Sequence, residues 1–343
     1  MKSYEQLRNE AQEANDSYIY ECLEKYLEEK LLIVGGGKNH GQAVILAGGA
    51  GSGKSFAVTK FMEGEKFKVI NPDDIKDILL TMRDKKVVPQ SETTASLLKR
   101  VANLKLKNPE DAGTLHMMIK DLGIDSKREV LLFAGKRESG LLPNVMFDAT
   151  LKKPEHLYGS LTGEQGYLNL LKGAGYKPEN IHIVWILTNY NLAVRQNLTR
   201  NRVVRTDILI KSHQGAADTM TNYVLRNYTK LGVNGDVAVI LGGANNTVLY
   251  KKGDKVKAKD GREYILTKDT AVPVIKDFTY FRVKRAGENK MNQDALESIY
   301  KWVKRMAPPP DVDIQAVQDK AVADLKKKGK LDPEVAKYLG YEP

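Results

Sequence analysis

The residues with the most definite chemical meaning are Gly48-Gly49-Ala50-Gly51-Ser52-Gly53-Lys54-Ser55, a complete match to GxxxxGK[ST]. An apolar run, Ala43 to Ala47, leads into it, and a helical pattern over Phe56 to Met62 follows. In that setting the glycines let backbone N–H groups curl around phosphate oxygens, and the start of a helix adds a favourable dipole. Lys54 would reach the β and γ phosphates of a nucleotide, and Ser55 would offer its hydroxyl to Mg²⁺. ATP and Mg²⁺ are therefore the implied ligands. An accidental glycine-rich turn would have no reason to combine all the fixed positions with a strand before and a helix after.

Such a loop is shared by kinases, motors and switches, so the chemistry must be read from the acids and arginines that follow it. The run Val69-Ile70-Asn71-Pro72-Asp73-Asp74-Ile75-Lys76 places Asp73 at the carboxyl end of an expected strand, where open α/β sheets bind ligands. A carboxylate there can take the proton of an acceptor hydroxyl; Asp is also a favoured helix N-cap, and the two roles are compatible. Asp148, in Phe147-Asp148-Ala149-Thr150-Leu151-Lys152, ends another strand. It can hold Mg²⁺ through water or bind the acceptor, or it can cap a turn. Arg195, Arg200, Arg202 and Arg205 then cluster on one helix and its loop. Several guanidinium groups so placed can close over a triphosphate; a solvated face is the alternative. His116 falls in a helical insertion, where a lone histidine is ordinarily structural.

These side chains need a scaffold, and the periodicity supplies one. Five apolar strands are expected at Ala43–Ala47, Phe67–Ile70, Asn144–Asp148, Ile181–Leu187 and Asp236–Leu241, separated by helical patterns. The fold class implied is α/β: a P-loop NTPase-type parallel sheet flanked by helices, with a small β-rich module and a helical tail at the carboxyl end. The expected divisions are an amphipathic helix and linker over 1–40, a nucleotide-binding domain over 41–243, a basic β-rich module with a closing helix over 244–306, and a basic helical tail over 307–343. Asp260-Gly261 is a hairpin signal within the module, and Phe278 to Lys284 continues its β pattern.

Composition sets the outer limits. The chain has 343 residues, 42% hydrophobic and 28% charged, which excludes fibrous and mainly disordered readings. A single cysteine, Cys22, permits no internal disulfide and has no catalytic partner nearby in sequence. The histidines lack metal-ligand spacing. No apolar stretch resembles a signal peptide or a membrane span, so a cytoplasmic protein with no membrane partner is expected. With 54 Lys+Arg against 43 Asp+Glu, the net charge is +11. The surplus concentrates at Lys251 to Lys259, Arg282 to Arg285 and Lys326 to Lys330, and would suit a polyanion or a phosphorylated ligand.

Taken in order, GGAGSGKS, INPDD, FDATLKK and NLAVRQNLTRNR resemble the motifs of zeta-toxin-like P-loop kinases over roughly residues 41 to 230. The resemblance implies that Asp73 is the catalytic base, that Asp148-Ala149-Thr150 stands for the family's Glu-Gly-Thr acceptor motif with Thr150, Lys152 and His116 as acceptor contacts, and that Arg195 and Arg202 are the lid arginines. Two departures concern the acceptor: Asp replaces Glu at 148, and Asn71 stands where the toxins usually carry another acid. The resemblance implies a nucleotide sugar, first UDP-N-acetylglucosamine, as acceptor, and an antitoxin as partner. A second acceptor class is a hydroxyl on nucleic acid, either a polynucleotide end or a hydroxymethylated base, as with similar kinases of bacteriophages that modify their DNA. The basic carboxyl-terminal part would then contact DNA. A non-kinase ATP-binding regulatory module is the third reading.

Overall fold

The computed structural model describes residues 32, 34–62, 64–71, 73–89, 92–121, 142–160, 166–242, 247–250, 253, 255–257, 263–265, 270–273 and 280–341. The amphipathic segment expected over residues 4 to 30 lies outside them. The first half of the core runs β1 (Ala43–Ala47), α1 (Lys54–Phe61), β2 (Lys68–Ile70), α2 (Asp73–Asp84), α3 (Glu92–Val101), α4 (Pro109–Asp121) and β3 (Val145–Asp148). It continues with α5 (Glu155–Tyr158), α6 (Tyr167–Gly173), β4 (Ile181–Thr188), α7 (Tyr190–Asn197), α8 (Thr206–Asp218) and β5 (Val237–Gly242). Short strands β6 (Thr247–Tyr250), β7 (Lys255–Lys257), β8 (Glu263–Ile265) and β9 (Thr270–Pro273) come next. β10 (Tyr280–Lys284), α9 (Gln293–Met306), α10 (Ile314–Lys327) and α11 (Pro333–Tyr338) complete the described chain.

All five strands expected from apolar runs form, and they make a parallel sheet in the order β2-β3-β1-β4-β5. β1 sits at the centre because it is apolar on both faces. Ala43, Ile45 and Ala47 join one core layer with Phe147, Ile183 and Trp185, while Val44 and Leu46 join the other with Ala57, Met146 and Ile186. Strands buried on both sides read as continuous apolar runs rather than alternating ones, and that property made them visible in sequence.

The carboxyl-terminal part differs from the sequence reading. Tyr280–Lys284, expected to continue the β-rich module, instead pairs antiparallel with β5 and becomes the sixth strand of the main sheet. Val283 is fully buried there, and Lys284 Nζ donates to Asn234 Oδ1 at 2.6 Å. The strand thus covers what would otherwise be an open edge of β5. Ile299 and Met306 of α9 join the same core. The basic tail is also held down: Val317, Ala321, Val322 and Leu325 of α10 and Val335 of α11 pack with Val194 and Leu198 near α7 and with Leu209 and Ile210 of α8. Of the module itself, β6 pairs with β9 and β7 with β8, both antiparallel; the expected Asp260-Gly261 turn lies outside the described residues.

The amino-terminal edge of the sheet is fastened by a buried polar network. Asp236, just before β5, accepts the Gly35 N–H at 2.8 Å and lies 3.1 Å from His182 Nδ1 and from Arg282 Nη1. His182 Nε2 is 2.9 Å from Gln42 Oε1. Burial pushes the Asp236 carboxyl up, but the hydrogen bonds to His182 and Gly35 and the nearby Arg282 charge prevail and hold it at about 2. Its ionised form therefore stabilises the fold in full above the ordinary value of 3.8, and the contribution is lost as pH falls through about 2. Asp236→Asn should lower stability at neutral pH by roughly 2 to 4 kcal/mol, because it strands charged and N–H partners in the interior. A urea melt that matches the wild type would contradict this assignment.

Candidate functional site

β1 ends directly in the phosphate loop, and α1 begins at Lys54. Gly51 and Gly53 hold φ of +71° and +83°, the left-handed conformation that L side chains adopt at a cost. Left-handed residues placed in a loop in this way are what allow backbone N–H groups to form an anion-binding concavity. Around Gly53 nothing lies within 4 Å of where a Cβ would project, so the chain is unobstructed at that point. A phosphate group fits that cradle. Ser55, exposed in the first turn of α1, fits the role of a hydroxyl ligand to Mg²⁺.

Lys54 folds back over its own loop, with Nζ donating to the Gly48 carbonyl at 3.0 Å and the Gly49 carbonyl at 3.2 Å. It also lies 3.5 Å from Asp148 Oδ1, at the carboxyl end of β3, and the two side chains are only 11% and 13% exposed. The parallel register sets this pairing: Asp148 sits beside Leu46, one residue before β1 ends. A carboxylate and an ammonium at the loop mouth make a site where a phosphoryl group and a hydroxyl can be held together. The residues present among the described ones form no group of three metal-ligating side chains. Mg²⁺ would accordingly be held through Ser55 and Asp148 together with phosphate oxygens and water.

Asp73 opens α2 on the same sheet edge, immediately after β2; its side chain lies outside the described residues. The Thr150 carbonyl accepts the Gly48 N–H at 3.4 Å, which ties the segment after β3 to the loop. Lys152 is exposed, and its backbone carbonyl meets α8 at Gly215, where an added Cβ would come under 3 Å. His116, on α4, is exposed, and its Nδ1 accepts from the nearly buried Lys76 of α2 at 3.0 Å. Lys76 was not singled out in sequence; it lies one helical turn after Asp73. The arginines divide. Arg195 Nη1 pairs with Asp324 of α10 at 2.9 Å, and Arg205 is engaged by Asp207 and Glu110 at 3.0 and 3.1 Å. Arg202 is half-buried in the loop between α7 and α8, and Arg200 is exposed.

Sequence reasoning missed the residues that hold the loop from outside. Ser212 Oγ accepts the Ala50 N–H at 2.9 Å, and His213 Nε2 donates to the Ala50 carbonyl at 2.9 Å. Thr188, at the end of β4, donates to the Ser52 carbonyl at 2.6 Å. No local pattern marks a serine or histidine in mid-helix as a partner of a loop more than 160 residues away. Burial, opposed by the hydrogen bond to Ala50 and aided by the Lys54 charge, holds the His213 imidazole down at about 4.

This strand order, with a phosphate loop after the central strand and acids on the same edge, defines a P-loop α/β nucleotide-binding fold. No protein-family model matches the chain, and no curated protein matches it. Among solved structures it is similar to the AvrRxo1-ORF1:AvrRxo1-ORF2 complex with sulphate ions, at 13% identity and a TM-score of 0.45, covering 96% of this chain and 85% of that one. The AvrRxo1-ORF1:-ORF2 complex with ATP gives 12% identity and a TM-score of 0.43 over 96% and 85%. The PezAT chromosomal toxin-antitoxin system of the human pathogen Streptococcus pneumoniae gives 13% and 0.34 over 84% and 95%.

The histidine generates a prediction with a definite sign. Its folded value of about 4 lies below the ordinary 6.5, so the unfolded chain binds more protons between those limits. The stabilisation it confers is complete above 6.5 and declines as pH is lowered toward 4. Wild-type stability should therefore fall between pH 6.5 and 4 more steeply than that of His213→Gln, by up to about 1.4 kcal/mol per pH unit. Parallel pH profiles of denaturant midpoint for the two proteins would disprove it.

Proposed function

We propose that the protein is an ATP-dependent kinase that transfers the γ-phosphate of ATP to an acceptor hydroxyl. The observation that carries this reading is the meeting of Lys54 and Asp148 at 3.5 Å beside the phosphate loop. A pure nucleotide-binding module needs the loop and the lysine. A second acid at the loop mouth, with Asp73 opening α2 along the same edge, suits a site that also holds a hydroxyl.

In this reading the loop N–H groups and Lys54 bind and orient the triphosphate. Asp73 takes the proton of the acceptor hydroxyl as its oxygen forms a bond to the γ phosphorus, and the bond from that phosphorus to the β–γ bridging oxygen breaks, releasing ADP. Bound Mg²⁺ supplies charge neutralisation on the phosphate oxygens. Asp148 and Thr150 position the acceptor, with Lys152 and His116 at its outer side. Arg202 closes over the transferring charge from the α7–α8 loop. Arg195 can join it once its ion pair with Asp324 opens, and at about a third exposed each, that pair is weak enough to exchange.

The acceptor proposed first is a nucleotide sugar such as UDP-N-acetylglucosamine, on the motif order shared with zeta-toxin-like kinases, and an antitoxin is the partner that goes with it. A nucleic-acid hydroxyl is the second reading. It is favoured by the net charge of +11 and by the exposed Lys326, Lys327, Lys328 and Lys330 at the end of α10. No helix among the described residues is long and apolar enough to cross a membrane.

The test follows labelled γ-phosphate from ATP in parallel reactions with UDP-N-acetylglucosamine and with hydroxymethyluracil-containing DNA. Lys54→Ala and Asp73→Asn should each cut transfer at least a hundredfold, with Asp73→Asn still binding MgATP. Label on the sugar nucleotide supports the first acceptor; label on DNA, weakened steeply by salt, supports the second. ATP hydrolysis with neither acceptor labelled would favour a regulatory module, and full transfer by Lys54→Ala would sink the kinase reading.

A further inference from the structure

Helix α8 takes hold of the phosphate loop at Ala50, engaging the two successive peptide groups on either side of its Cα. The Ala50 N–H donates to Ser212 Oγ and the Ala50 carbonyl accepts from His213 Nε2, each at 2.9 Å. Ser212 Oγ in turn donates to the Leu209 carbonyl at 2.7 Å, so its lone pair is aimed at the loop. Because His213 faces a carbonyl, it must carry its proton on Nε2 and act as a neutral donor. Both side chains are about 95% buried.

The same histidine fixes the residue type at 49. A Cβ on Gly49 would meet the His213 ring at under 3 Å at three atoms. Gly49 is therefore glycine on account of a side chain from α8, quite apart from any approach of phosphate. At the far end of the helix segment, Gly215 lies against the Lys152 carbonyl closely enough that a Cβ there would also clash. α8 is thus wedged between the phosphate loop and the segment that follows Asp148.

We infer that Ser212 and His213 are positioning residues for the nucleotide, acting through the two peptide groups that flank Ala50 to hold the phosphate loop in its binding conformation. The inference rests on the ATP-binding reading above. Were those two peptide groups free to rotate, the backbone angles of Gly49, Ala50 and Gly51 would all change. The N–H groups that follow then lose their common direction, and the loop must be ordered at the moment of binding. Preorganisation of this kind raises affinity by removing that ordering cost. A role limited to core packing would be met by any side chain of similar volume, whereas this one demands a donor at the Nε2 position.

The test is the affinity for MgATP, read with a fluorescent ATP analogue and by competition with ATP, on protein whose urea midpoint is recorded alongside. His213→Ala should weaken binding about tenfold to fiftyfold, and Ser212→Ala about fivefold to tenfold. His213→Gln, whose amide nitrogen reaches the same place, should stay within threefold of the wild type. Gly49→Ala should lose at least a hundredfold alone, and the double variant Gly49→Ala/His213→Ala should bind at least tenfold more tightly than the product of the two single losses allows. The inference is overturned if His213→Ala binds like the wild type, if His213→Gln loses as much as His213→Ala, or if the two losses simply multiply. Should His213→Ala fail to fold, Ser212→Ala and His213→Gln decide between the same outcomes. Failure of the wild type itself to bind MgATP would be a different result: it overturns the ATP reading, and this inference with it.

Discussion

A phosphate loop works only if a run of backbone N–H groups, each of which would otherwise seek its own partner, is held facing one empty point. The rest of this molecule is arranged around that constraint. β1 delivers the loop from the centre of the sheet, where it is flanked on both sides by parallel neighbours. Thr188 of β4 and Ser212 and His213 of α8 then fix carbonyl and N–H groups on the outside of the loop. With those groups occupied, the inward-facing ones are left for the ligand.

The two edges of the sheet have different tasks. At the amino-terminal edge, Asp236, His182, Gln42 and Arg282 form a closed polar network that ties the Gly35 turn to β5 and β10. At the carboxyl-terminal edge the loop, Asp148 and the start of α2 come together, with Lys54 Nζ 3.5 Å from Asp148 Oδ1. Arg195 and Arg205 bridge outward instead, to Asp324 in α10 and Glu110 in α4. In this way the carboxyl-terminal helices bear on the region expected to cover the nucleotide.

Much of this was legible in the sequence because it depends on local signals. Fully buried strands declare themselves as apolar runs, and the loop declares itself by fixed glycines between a strand and a helix. Asp148 could be placed at the sheet edge because the strand before it ends there. The misses share the opposite property. His213 and Ser212 act on a loop more than 160 residues away, and a histidine within an amphipathic helix carries no local mark of its partner. The allegiance of Tyr280–Lys284 was misread because pairing with β5 rather than with a neighbouring hairpin is decided by tertiary burial of Val283, while its alternation looks the same in either place. The ion pair of Arg195 with Asp324 spans 129 residues and is equally invisible to pattern.

The central claim is that residues 48 to 55 form a preorganised site for the phosphates of ATP. Amide hydrogen exchange with and without MgATP tests it most directly, because it reports on the loop itself and requires no knowledge of the acceptor. The account predicts that MgATP slows exchange first over the peptides spanning 48–55 and then over those spanning 206–218, with the amino-terminal edge around 235–240 unchanged. Unaltered exchange over 48–55 at saturating MgATP, or protection confined to some other part of the chain, would contradict it.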